Sequence, residues 1–141
     1  MGIFDKLGGG KDVKLTPKSA LALGAMTVIG IDGSIEDDEI SMLRRIVRGD
    51  GNAFDQAFRT YKERAIPECV DLVCKSMTDQ KQKLVFITNL LDIAMADGVL
   101  AGAEKDLMAK YIEKLEVPEK AVEEIVEFIA NKNDFSIFES R

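Results

Sequence analysis

Histidine and tryptophan are absent from this sequence, cysteine occurs twice and proline three times. Without histidine there is no Ser-His-Asp or Cys-His nucleophile system and no histidine general base, so any catalysis would rest on carboxylates alone. Cys69 and Cys74 stand five apart in a segment that reads as helix. That places them about 140° apart around its axis, where they neither bridge nor chelate easily, and they are expected as small core fillers. Long apolar runs are missing too: the longest, Ala20 to Ile31, falls short of the ~20 residues that span a bilayer. Met1 to Lys11 lacks the basic start and apolar run of a secretory signal, so a soluble cytoplasmic protein is expected. Basic side chains are in deficit, 19 against 25 acidic for a net charge of −6, which argues against a nucleic-acid surface. Strand patterns do not occur.

What is present is 46% hydrophobic and 31% charged over 141 residues, a balance that predicts one globular domain able to fold without disulfide or metal. The punctuation predicts about seven helices in a compact all-α bundle. Thr16-Pro17 caps a nearly all-apolar helix to about Ile31, which only a central position satisfies. A second helix, about Ile35 to Arg48, carries acids early and arginines late, as its dipole prefers. Others run from about Ala53 to Ala65 and from Pro67 to Met77. Asp79 and Gln82 resemble a capping box opening a second mostly apolar, central helix to about Ala96. Two more cover about Ala101 to Leu115 and the segment from Pro118, where Val122, Ile125, Val126 and Ile129 keep core spacing.

The ends divide the chain into a flexible arm, 1–16, jointed at Gly8-Gly9-Gly10, and a single domain, 17–141. Ile3, Phe4 and Leu7 make the arm an alternative docking segment. Residues 71–141 hold nine basic and fourteen acidic side chains, and Glu113, Glu116, Glu119, Glu123, Glu124 and Glu127 are expected on a solvated face. A tail with Phe135, Ile137 and Phe138 follows.

Shifted by 65 positions, Met26 to Val47 lies over Leu91 to Ile112. Asp32 falls on Asp97, Gly33 on Gly98 and Glu39 on Glu104, and Ile35/Leu100, Met42/Leu107, Leu43/Met108 and Val47/Ile112 stay apolar. Two pseudo-symmetric halves are expected, each a buried helix, an Asp-Gly turn and an amphipathic helix. Glycine suits such a turn because positive φ is often required there. Helical phase puts Glu39 on the stripe of Ile35, Met42, Leu43 and Ile46, and Glu104 on that of Leu100, Leu107, Met108 and Tyr111. A carboxylate thus takes a core-facing slot twice, and needs a cation, donors or a proton there.

The string D-G-x-[IL]-x-x-x-E matches the second half of an EF-hand loop, but the first half is lost: Val28 and Gly30, and Ile93 and Met95, occupy its ligand positions. Asp32, Glu39, Asp97 and Glu104 together would offer four carboxylates, which suit a hard divalent cation, Ca²⁺, Mg²⁺ or Mn²⁺. Alternatively each aspartate ends a helix, each glutamate caps the next, and a lysine or arginine neutralises the remainder.

The doubled pattern A-D-G-x-[IL]-x-x-x-E, at Ile31 to Glu39 and Ala96 to Glu104, resembles the TerB-like family over about residues 17 to 131. Gly2-Ile3-Phe4-Asp5-Lys6 also looks like a TerB amino terminus, while Ile31 departs from the usual alanine. The family is an all-helical domain associated with bacterial tellurite-resistance and stress operons, also found at the front of some membrane-bound J-domain co-chaperones. The resemblance implies a two-half helical bundle that works through protein partners in a stress-response assembly, in some settings membrane-associated. No enzymatic activity is expected, because no nucleophile or general base stands out among the helix residues. Asp32, Glu39, Asp97 and Glu104 are its implied metal ligands. Three readings follow: a cation-responsive binding module, a metal-independent adaptor docking through its acidic last helices or its tail, and, least supported, a carboxylate-metal hydrolase.

Overall fold

The computed structural model describes residues 13–96, 100 and 102–139. Among them are seven α-helices, one short 3-10 turn and no strand. The helices are α1 (Pro17–Gly30), α2 (Asp37–Ile46), α3 (Gly51–Glu63), α4 (Ile66–Lys75), α5 (Gln80–Ala94), α6 (Gly102–Leu115) and α7 (Glu119–Lys132), and the turn is Ser136–Phe138.

Local chemistry sets the boundaries. The Thr16 hydroxyl accepts the Ser19 N–H at 3.1 Å and Pro17 occupies the first turn of α1, where its missing N–H costs nothing. Asp50 caps α3 by accepting the Ala53 N–H, so that helix begins at Gly51, two residues before its expected start. Asp79 caps α5 through the Lys81 N–H at 2.8 Å rather than through the expected capping box with Gln82. Gly33 in the turn after α1 has φ +155, a backbone region that costs glycine least.

The α1 helix is the axis of the bundle. Ten of its fourteen residues are buried, and α2, α3, α4, α5 and α6 all pack against it. Its small residues permit close approach: a Cβ at Gly24 would meet the Phe86 ring, and one at Gly30 would meet the Tyr61 phenol. The polar side chains that α1 buries are satisfied. Ser19 donates to the Ala53 carbonyl, and Thr27 donates to the Gly24 carbonyl at 2.6 Å.

The expectation of a second central helix needs correction. α5 buries Phe86, Ile87, Leu90, Leu91 and Ala94 against α1, α6 and α7, but leaves Leu84 and Val85 exposed. Five helices surround α1, whereas among the described residues α5 has only α1, α6 and α7 against it and keeps one face in water. Val13 to Thr16, the last residues assigned to the arm, lie against the bundle: Leu15 is buried and the Gln56 side chain donates to the Lys14 carbonyl. The six glutamates from Glu113 to Glu127 are all exposed.

Candidate functional site

Each of the motif glutamates is the third residue of its helix, Glu39 in α2 and Glu104 in α6. Both line a single cleft of about 430 Å³. The C-terminal ends of α1 and α5 contribute Ile29 and Ala94, which also correspond to each other in the 65-residue shift. The glutamates of the two motif copies thus line one cleft, although 65 residues separate them in sequence.

The depth differs from expectation. Neither glutamate is in the core; both are half-buried on the rim of the cleft. Helical phase gave their direction correctly, but first-turn residues sit at the end of a helix, where the inward stripe opens onto solvent. Glu39 is partly engaged, its Oε1 accepting the Glu36 N–H at 2.8 Å and so capping α2. Asp32 is exposed in its turn and does not line the cleft. Asp97 lies outside the described residues.

The cleft also holds charges that the motif did not reveal. Asp92 of α5 enters it and pairs with Lys132 of α7, Nζ to Oδ1 2.9 Å. Lys132 donates to the Asn133 side-chain oxygen at 3.0 Å as well. One signal was available: Asp92 is the sole charged residue between Leu84 and Met95. An isolated acid in an apolar helix marks a place where the helix meets a polar site.

This donor set, carboxylates with an amide and no thiolate or imidazole, suits a hard cation. It is sparse. No group of three or more His, Cys, Asp or Glu among the described residues is arranged to hold a metal, and the Lys132 ammonium already serves Asp92. Two carboxylates match a cation that keeps most of its water, as Mg²⁺ does, better than an enclosed Ca²⁺ site with 6–8 oxygens.

The cysteines are placed away from this cleft. Cys69 is fully buried and Cys74 half-buried on α4, both as free thiols. Burial pushes each up to about 11, which keeps them protonated.

Residues 18–127 match the family model described as tellurite resistance protein TerB. The match covers well over half of the chain, which therefore belongs to the TerB family. No curated protein and no solved structure matches the chain.

Proposed function

We propose that this member of the TerB family is a cation-responsive binding module, in which a hydrated divalent cation held by Glu39 and Glu104 ties α2 to α6 and so sets the surface offered to a protein partner in a stress-response assembly. The observation that carries this reading is the convergence of the two repeat-equivalent glutamates on one cleft. Structural capping would need each glutamate only at its own helix start. Lining one cleft is more than either helix start requires, and a cation between the two carboxylates would offset their mutual repulsion. In this role the protein acts by binding and positioning rather than by catalysis.

A second reading, the metal-independent adaptor, is favoured by one observation: the Lys132 ammonium already supplies positive charge to Asp92 at 2.9 Å. The two separate in one experiment, thermal melting of the chelator-treated protein with Mg²⁺, Mn²⁺ or Ca²⁺ added. Under the cation reading an ion at ~100 times its Kd adds ~2.7 kcal/mol, a rise of several degrees for a domain of this size. Glu39→Gln and Glu104→Gln should each abolish most of that rise. No shift with any of the three ions would remove the cation reading and leave the adaptor.

A further inference from the structure

Outside the cleft, the chain carries an apolar groove and an apolar projection at opposite ends of α5. The groove, about 330 Å³, lies where the first turns of α1 and α5 meet. Leu21, Met77, Val85 and Phe86 form its floor, and Lys18 and Lys81 stand on its rim. The projection follows α7, where Phe135, Ile137 and Phe138 are 64%, 81% and 82% exposed. They are not on a loose end. Asp134 accepts the Ser136 N–H at 3.0 Å, and the Phe138 N–H reaches the Phe135 carbonyl at 2.9 Å, so a hydrogen-bonded turn presents all three side chains to solvent. Exposed apolar surface of this kind marks an interaction site.

The two features match in chemistry. Acidic Asp134 and Glu139 bracket the apolar side chains of the turn, while Lys18 and Lys81 outnumber Asp79 among the charges lining the groove, and the Asp79 carboxylate is engaged in capping α5 through the Lys81 N–H. Lys18 is held only by a half-exposed pair with Asp50 at 3.9 Å among the described residues, and Lys81 has no ion pair among them. They cannot meet within one molecule as folded. The Lys132–Asp92 pair fixes the end of α7 beside the end of α5, whereas the groove takes Gln82 and Val85 from its beginning. Ten residues of helix separate Gln82 from Asp92, about 15 Å at 1.5 Å per residue.

We propose that the aromatic turn of one copy seats in the α1–α5 groove of a second copy, joining molecules head to tail. Different patches meet in such a contact, so it is heterologous: each molecule in a row keeps one free groove and one free turn, and the row grows until it closes into a ring or extends as a filament. The contact uses neither Glu39 nor Glu104 and stands independently of the cation cleft.

Sedimentation of the full chain over a range of concentrations, without divalent ions, tests this. The parent should show an average mass that rises with concentration and falls when salt is added, as the charged rims require. Phe135→Ser/Phe138→Ser disables the turn and Val85→Glu/Lys81→Glu the groove; all four positions are exposed, and circular dichroism checks that both variants fold. Each alone should be monomeric, and their mixture should form a 1:1 dimer that grows no further, because it contains one working turn and one working groove. A parent that stays monomeric at its highest soluble concentration overturns the proposal, as does association that survives in either variant. Association abolished by deleting residues 1–12, with the turn substitutions silent, assigns the contact to the amino-terminal arm and overturns it too.

Discussion

The hydroxyls of Thr27 and Tyr111 lie 2.7 Å apart in the core, joining α1 to α6 across 84 residues of sequence. Thr27 gives its own proton to the Gly24 carbonyl at 2.6 Å, so Tyr111 is the donor between them. Burial pushes the Tyr111 phenol far above its ordinary range, which keeps it protonated and able to donate. Thr27→Val should therefore cost about 1–3 kcal/mol, because it strands a buried phenol O–H. Tyr111→Phe should cost about 1 kcal/mol, since Thr27 keeps its bond to Gly24. Denaturant titration of both singles and the double variant checks this; a larger loss for Tyr111→Phe would contradict the assigned donor.

Gly24 lies beneath the Phe86 ring, which meets Tyr111 edge-on at 5.2 Å between centroids. Helix propensity alone would make Gly24→Ala stabilising by about 1 kcal/mol. Here the new Cβ would occupy the space of a fully buried ring, so the expected outcome reverses sign to a loss of about 1–3 kcal/mol. Gly30→Ala should cost less, because the half-buried Tyr61 can turn its phenol outward. Thermal melts of the two variants should rank them in that order, and Phe86→Leu should recover part of the Gly24→Ala loss.

Much of the helical order was legible because local chemistry decides it: Thr16-Pro17 and Asp79 mark helix starts wherever the rest of the chain lies. The joint cleft was half legible. A repeat identifies Glu39 and Glu104 as equivalent and phase gives their direction, but depth depends on where each helix stops along its neighbours. The Asp92–Lys132 pair was not legible, because forty residues separate its partners and only the packing of α7 on α5 joins them. The uncovered Val85 was missed for the same reason. An apolar segment shows that a helix can be central without showing whether enough other helices exist to surround it.

Cys69 and Cys74 should make stability fall on the alkaline side. Burial raises both thiols from near 9 to about 11. Above pH 9 the unfolded chain therefore loses thiol protons that the folded chain keeps, so stability is full below 9 and declines as pH rises through about 11. A Cys69→Ala/Cys74→Ala variant should show a flatter alkaline limb, with the raised groups Tyr111, Tyr61 and Lys114 contributing to what remains. With a thiol reagent near neutral pH, the half-buried Cys74 should react slowly and Cys69 only on unfolding. Rapid labelling of Cys69 in the folded protein would contradict its burial.

Lys132→Gln tests the cleft from its basic side. The Lys132–Asp92 pair is about half exposed at both ends, so without divalent ions its loss should cost no more than about 1 kcal/mol. Its effect on cation binding should be opposite in sign and larger. Removing the ammonium takes a competing positive charge out of the cleft that Glu39, Asp92 and Glu104 line, so affinity for Mg²⁺ or Mn²⁺ should rise about tenfold, equivalent to about 1.4 kcal/mol. Calorimetric titration of the parent and Lys132→Gln measures this directly, with Lys132→Gln/Glu104→Gln expected to lose the gain. Unchanged cation affinity in Lys132→Gln would place the ion away from Asp92. An affinity that fell would mean that the ammonium supports the site, and that the carboxylates of this cleft are arranged around Lys132 rather than around a metal.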